Sequence, residues 1–226
     1  MFDARYLAYA TISAVLVISP GATMAVVMET AIGEGRLAAL YTVLGINIGN
    51  STLALTSALG MSIVFHQWPW TMHFVKVAGA GYLTYLGLRG LYFALKGRPG
   101  SLGKGAMDHL ASGHLPDRQS PNGQSPCDRV GIRRPVVRGI LTNLLNPPVV
   151  LFYMTFLPQF IGPGDPFFAR FLVLAATHVS MSLVWLSIYA FALGILAERF
   201  ARPSVRRMLE GITGTVLVGF GLRLLL

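Results

Sequence analysis

The sequence predicts an all-α integral membrane protein with six transmembrane helices, arranged as an inverted 3+3 repeat in which the first and fourth helices are broken. Three observations predict this class: the apolar composition, the number of long apolar stretches, and a proline inside two of them. Of the 226 residues, 54% are hydrophobic and only 12% are charged, about half the charged fraction of a typical soluble domain. The mean hydropathy is +0.60. We therefore expect the bilayer to be the solvent.

Six apolar stretches match the length of about 20 residues that a helix needs to cross a hydrocarbon core of roughly 30 Å. The first is too long for a signal-peptide core and lacks a convincing cleavage site, so we expect it to remain in the mature protein. The single cysteine, Cys127, excludes an intrachain disulfide and a cysteine metal cluster. The predicted spans are approximately 6–28, 37–65, 70–95, 136–161, 167–195 and 207–226.

The positions of Lys and Arg predict which loops face the cytoplasm. The formal net charge is +9, and the basic residues cluster between spans three and four and between spans five and six, whereas the loops around 66–70 and 162–166 contain none. By the positive-inside bias, the basic loops are cytoplasmic and both termini are external. Neither basic loop interleaves aromatic residues on a folded surface, so the charge does not indicate a nucleic-acid partner.

The stretch from residue 96 to residue 134 divides the chain. It is rich in Gly, Pro, Ser and charge, which predicts a mobile cytoplasmic linker. We expect a first three-helix repeat at 1–95 and a second at 135–226. Because three is odd, the second repeat crosses the membrane in the opposite sense. His109 and His114 in the linker have no fixed geometry, so no metal site is expected.

Spans one and four share an unusual feature, a small polar residue followed by proline inside an apolar run. Pro20 follows Ser19 in "VISPGATMAVV", and Pro147 and Pro148 follow Asn146 in "LLNPPVVLFY". Proline donates no backbone hydrogen bond and disfavours helical geometry in the residue before it, so each span is predicted to break into two half-helices. Ser19 and Asn146 are then expected to be N-caps, with proline at the first helical position.

Such breaks expose polar backbone, which must face protein or a water-filled cavity. If the two breaks meet near mid-membrane, their N–H groups suit a carboxylate and their freed carbonyls suit an ammonium group. A zwitterionic amino acid presents both. For either break taken alone, a proline kink that serves packing is the alternative. Two breaks in matching positions favour a binding cavity, with side-chain hydrogen bonds from Thr23 and Asn143.

The second span carries a polar face beside two glycines. Asn47, Asn50, Ser51 and Ser57 recur at three- to four-residue spacing, so they are predicted to share a face that lines a pathway or forms helix–helix hydrogen bonds. Gly45 and Gly49 are predicted to form a close-packing surface instead.

Four stretches make the sequence resemble the LysE/RhtB family of bacterial amino-acid exporters: "SPGATMAVV", "GEGRLAALYTVLGINIGN", "GAGYLTYLGLRGL" and "RGILTNLLNPPVVLFYMTFLPQF". The resemblance covers nearly the whole chain outside the linker. It implies efflux of an amino acid from the cytoplasm, coupled to the proton motive force, and needs no cofactor. The implied partners are an amino acid, protons and the lipid bilayer, and a homodimer is a further candidate.

The sequence departs from the family pattern at three positions. The family commonly has proline where this chain has Ala22, lysine where it has Pro148, and aspartate where it has Asn50. The last two departures remove ionisable groups, so we expect other residues to couple transport to protons. His178, in the middle of span five, is a candidate proton carrier because imidazole changes charge near neutral pH, with Glu29 as a second candidate. A neutral packing histidine and an ordinary interfacial carboxylate are the alternatives.

The predicted function is therefore secondary transport that exports an amino acid or a close derivative. Nucleophile elbows, zinc-binding histidine pairs and phosphate-binding glycine loops are missing from the sequence, which argues against an enzyme. A small membrane scaffold or assembly factor is the alternative. The predicted substrate-binding residues are Ser19, Pro20, Gly21, Thr23, Asn47, Asn50, Asn143, Asn146 and Pro147.

Overall fold

The structure, a computed structural model, describes residues 4–19, 21–67, 71–96, 132–162, 164–192 and 203–225. All regular structure in these ranges is helical, as predicted. Pro20, Cys127 and most of the predicted linker lie outside the described residues. The helices are α1 (Ala4–Ile18), α2 (Ala22–Gly33), α3 (Arg36–Gln67), α4 (Thr71–Lys96), α5 (Arg133–Leu144), α6 (Pro147–Leu151), α7 (Phe167–Phe191) and α8 (Pro203–Leu225). From α6 the chain continues as a π-helical turn (Phe152–Phe156) and a 3₁₀ turn (Leu157–Phe160).

Length and composition mark several of these helices as membrane spans. In the part of the chain that the structure describes, α3 and α7 each contain a window apolar enough to cross a bilayer. Two bent pairs also qualify, each counted as one broken span: α1 with α2, bent by 43°, and α5 with the segment Pro147–Phe160, bent by 61°. Large apolar side chains are exposed along α3, α4 and α7, as expected of a surface that faces lipid.

The central helix α3 packs against α5 and α7, and glycines bring α3 and α5 into backbone contact. A Cβ atom at Gly45 would overlap the carbonyl of Val136, and one at Gly139 would lie 2.9 Å from the backbone nitrogen of Ile46. Beside them, a Cβ at Gly49 would lie 3.0 Å from that of Asn143. The predicted close-packing role of Gly45 and Gly49 is confirmed, and we call this contact the α3–α5 seam.

The last helix of each predicted repeat packs against the other. Helix α4 lies along α8, and a Cβ atom at Gly87 would lie 2.7 Å from the carbonyl oxygen of Gly214. Gly221 fits just as closely against the backbone of Ala80. This α4–α8 pair contacts the remaining helices mainly through the π-helical turn, with smaller contacts to α1 and α3.

Candidate functional site

The first break lies between α1 and α2, but the new helix begins later than the sequence predicts. The N–H of Ser19 still donates to the carbonyls of Val15 and Leu16, so Ser19 closes α1. The N-cap of α2 is Gly21, in an extended conformation with φ −151° and ψ −169°. The prediction that Ser19 is an N-cap is wrong. Glycine costs about 1 kcal/mol inside a helix and is well tolerated at an N-cap, which favours a start at Ala22.

The second break lies where the sequence predicts it. Asn146 is extended, with φ −86° and ψ 104°, and α6 begins at Pro147. The Asn146 side chain nevertheless makes no capping hydrogen bond. The usual donors to the side-chain oxygen of an N-cap residue are the N–H groups of the second and third helical residues. Pro148 has none, and the N–H of Val149 donates to the carbonyl of Asn146 instead. The Asn146 amide therefore remains available to the space beside it.

Both breaks open onto one cavity of about 290 Å³. Side chains from α3, α4, α7 and α8 complete its wall. The predicted site residues that line it are Ser19, Gly21, Thr23, Asn50, Asn143 and Asn146. The structure thus brings together two loops that are more than a hundred residues apart in the sequence.

An amide pair joins the two predicted repeats at this cavity. The Nδ2 of Asn143 donates to the Oδ1 of Asn50 over 3.0 Å, and both side chains are almost fully buried. The seam explains why they meet, because the missing side chain at Gly49 lets Asn143 approach α3. The bond occupies one donor of Asn143 and one acceptor site of Asn50. The remaining amide groups are available to a ligand.

Other predicted site residues lie away from the cavity wall. Asn47 is buried but lies outside the lining, and its Nδ2 donates to the carbonyl of Val43 over 2.9 Å. Pro147 is exposed, and Pro148 lines the cavity in its place. Ser51 is exposed and bonds to the carbonyl of Asn47, so the prediction that it shares a buried face with Asn50 is wrong. One residue of offset turns it about 100° around the helix.

His178 lines the cavity from α7 and contacts the π-helical turn. Its ring centroid lies 4.3 Å from that of Phe152 and 5.9 Å from that of Tyr153. The Nδ1 atom is buried and has no hydrogen-bond partner among the described residues. π-helical turns inside α-helices occur frequently at functional sites. Here the turn places two aromatic rings against the imidazole.

Glu29 lies outside the cavity, in an ion-pair cluster near the end of α2. Its Oε2 is 2.8 Å from the Nη2 of Arg138 on α5, and its side chain is 53% exposed. Arg138 also lies 3.6 Å from a carboxylate oxygen of Glu34. The cluster therefore ties the first broken helix to the second.

The sequence comparisons agree with this architecture. A family profile described as LysE type translocator matches residues 14–226. The chain belongs to the LysE type translocator family. It is therefore a multi-pass membrane transport protein, in agreement with the predicted resemblance.

Relatives of this translocator align along almost their whole length. The uncharacterized membrane protein YrhP of Bacillus subtilis is 29% identical over 217 residues, covering 96% of each chain. The threonine efflux protein of Escherichia coli K12 is 25% identical over 221 residues, covering 98% of this chain and 97% of its own. An uncharacterized membrane protein of Pseudomonas aeruginosa is 29% identical over 213 residues, covering 92% and 89%. No solved structure matches.

Several lining residues of the translocator were missed by sequence reasoning. Tyr82 on α4, Thr155 in the π-helical turn and Thr213 on α8 contribute polar groups to the cavity wall. The sequence marks them only as polar residues inside apolar spans. Many residues that serve helix packing have the same property, so it does not identify a cavity residue. Arg138 was missed too, although an arginine inside the predicted span 136–161 is unusual enough to mark it.

Proposed function

We propose that this translocator exports amino acids from the cytoplasm across the bacterial inner membrane, driven by the proton motive force. The observation that carries the proposal is the single cavity shared by both helix breaks. Family membership and the threonine efflux relative support the choice of amino acids. A membrane scaffold, the alternative, has no need of a polar cavity between two interrupted helices.

The two breaks offer different chemistry to a zwitterion. The first hydrogen bond of α2 runs from the N–H of Ala25 to Gly21, so the N–H groups of Ala22, Thr23 and Met24 precede the ladder. All three residues line the cavity, and the positive end of the helix dipole suits the carboxylate of a substrate. We assign the carboxylate to this end of the cavity.

The second break suits the ammonium group instead. Pro147 and Pro148 have no N–H, and Val149 and Val150 both donate to the carbonyl of Asn146, so this break is poor in donors. It is rich in acceptors, because Asn143 and Asn146 both line the cavity. The sequence-based expectation is that both breaks offer N–H groups to a carboxylate and carbonyl groups to an ammonium group. The assignment gives each break one charged end of the amino acid.

The packing pattern supports an inverted 3+3 repeat with six spans. Exchanging the two repeats relates α1 to α5, α3 to α7 and α4 to α8. Under this exchange the α3–α5 contact corresponds to the α7–α1 contact, and both are present. The α3–α7 and α4–α8 contacts correspond to themselves. With the basic loops in the cytoplasm, both termini are external.

We infer that alternating access involves the α4–α8 pair rather than the two sequence halves. The α3–α5 seam and the ion pair between Glu29 and Arg138 join the halves to each other. The α4–α8 pair is packed just as closely within itself but contacts the rest over a smaller surface. Tyr82 and Thr213 place the cavity at that boundary. Movement there opens the cavity without breaking either glycine contact.

Proton coupling is assigned to His178, since Asn50 cannot titrate. Among the described residues that line the cavity, it is the one histidine, and imidazole is a side chain that can both accept and release a proton during transport. Glu29 forms an ion pair with Arg138 that connects the two broken helices. We therefore propose Glu29 only as the second candidate for the proton carrier.

Transport by the purified protein tests the proposal. Reconstituted vesicles loaded with unlabelled amino acid should take up the same labelled amino acid by exchange. The variant Asn146→Leu removes the amide that faces the cavity and should abolish exchange while leaving insertion unchanged. Its matched control is Leu145→Ala, because Leu145 is exposed and lies outside the lining. Vesicles in which the unaltered protein moves no amino acid would favour the scaffold.

A further inference from the structure

The cavity wall has two chemically different parts. Amides and free backbone groups lie at the helix breaks. Away from the breaks the wall carries a few hydroxyls, from Tyr82, Ser182 and Thr213, but is formed mainly by apolar side chains, including Met24, Ile46, Phe152, Phe156, Leu186 and Leu217. The lining side chains that the structure describes include no Asp, Glu, Lys or Arg.

Two groups of charged residues lie outside this wall, and each contains an ion pair. Arg138 contacts both Glu29 and Glu34 at one end of the molecule. Near the start of α7, the Nε of Arg170 lies 3.9 Å from a carboxylate oxygen of Asp165. A cationic or acidic side chain entering the cavity would lose its hydration and meet mainly neutral dipoles. Burying a charge without a partner is strongly unfavourable.

We propose that the translocator selects neutral amino acids with apolar side chains, such as leucine and methionine. This rests on the proposed export function. The α-ammonium and α-carboxylate groups bind at the breaks, and the substrate side chain lies against the apolar wall. Each methylene that the wall buries raises affinity roughly fourfold. A hydroxyl in the same place loses its hydrogen bonds to water, so threonine binds more weakly than leucine.

Exchange in reconstituted vesicles tests the selectivity. Vesicles are loaded separately with leucine, methionine, threonine, lysine or glutamate, and entry of the same labelled amino acid is measured over a concentration series. Half-saturation for leucine and methionine is expected at a concentration at least about tenfold below that for threonine. Lysine and glutamate are expected to exchange no faster than in protein-free vesicles.

Three outcomes are distinguishable. Lysine or glutamate exchanging as well as leucine would overturn the proposal while leaving amino-acid export intact. Threonine saturating at a lower concentration than leucine would overturn the apolar preference. If none of the five exchanges, the export function itself fails.

A matched pair of variants on α7 locates the selectivity in the wall. Leu186 lines the cavity and is 3% exposed, whereas Leu183 on the same helix is 41% exposed and lies outside the lining. Leu186→Ala should raise the half-saturation concentration for leucine about tenfold and leave that for threonine within about twofold. Leu183→Ala should change neither value. Equal losses for both substrates in Leu186→Ala would mean that Leu186 supports the fold rather than the selectivity, which would contradict the proposal.

Discussion

At the scale of single residues, the amide pair between Asn50 and Asn143 is the contact on which the cavity depends most directly. Replacing Asn50 by leucine removes the acceptor and leaves the buried Nδ2 of Asn143 without it. An unsatisfied buried donor costs roughly 1–3 kcal/mol. We expect Asn50→Leu to lower amino-acid exchange in vesicles at least about tenfold, by the free-energy cost of losing this bond.

The control keeps the hydrogen bond and changes the charge. Asn50→Asp retains an acceptor for Asn143, so it should retain exchange, and its carboxylate should change how the exchange rate depends on pH. If Asn50→Leu exchanged at the unaltered rate, the amide pair would have only a packing role.

His178 provides the residue-scale test of coupling. Gln approximates the size and hydrogen-bonding capacity of histidine but does not titrate. His178→Gln should still exchange substrate between equal concentrations, yet lose accumulation driven by a pH gradient across the vesicle membrane. Both quantities are measured in the same vesicle preparation. Full pH-driven accumulation by the variant would return His178 to a packing role against Phe152.

At the scale of the helices, the α3–α5 seam determines whether replacing a glycine of α3 by alanine stabilises or destabilises the protein. Gly45 and Gly60 both lie on α3, but a Cβ at Gly45 overlaps Val136 whereas one at Gly60 meets nothing within 4 Å. Gly60→Ala should be neutral or stabilise the protein by up to about 1 kcal/mol, through helix propensity. Gly45→Ala should destabilise it by about 1–3 kcal/mol, because α5 must move away.

Thermal unfolding in detergent measures both variants. Gly45→Ala is expected to unfold several degrees below Gly60→Ala. Equal unfolding temperatures would mean that α3 and α5 are not in backbone contact in the folded protein.

At the scale of the whole molecule, a cross-link distinguishes the two models of alternating access. The Cβ of Ala94 on α4 lies 3.8 Å from a Cβ built at Gly211 on α8, close to the mean separation in disulfides. Ala94→Cys with Gly211→Cys, in a Cys127→Ser background, should form a disulfide. If α4 and α8 move together, the oxidised protein should transport at the rate of the reduced protein.

The alternative model makes the opposite prediction for the same sample. Rocking of one sequence half against the other separates α4 from α8, so the disulfide would arrest transport until a reductant is added. Mass spectrometry of the linked peptides confirms that the bond has formed before the rates are compared.

Topology is tested at the same scale. Reporter proteins inserted near residue 115 or near residue 200 should behave as cytoplasmic, and one fused after Leu226 as external. A cytoplasmic reporter after Leu226 would contradict six spans with external termini.

Local chemistry explains how much of this protein was predictable from its sequence. Three features have local effects: the apolar composition, the length of the apolar stretches and the N–H groups that the prolines lack. Each affects the conformation or environment of the stretch in which it occurs. They determined the all-helical class and the break at Asn146. The same reasoning misplaced the start of α2, because it considered Pro20 and ignored Gly21, the residue directly before the first residue of the helix.

Only the tertiary structure decided which of these local features meet. The bond between Asn50 and Asn143 joins residues 93 positions apart, and the sequence on either side contains no sign of the pairing. The contact of Arg138 with Glu29 and the cavity contributions of Tyr82 and Thr213 likewise depend on how the helices pack. An apolar span specifies that a helix crosses the bilayer. Close packing of side chains and glycines along the whole interface determines which face of the helix meets another helix. The residues that determine this packing are distributed over several helices.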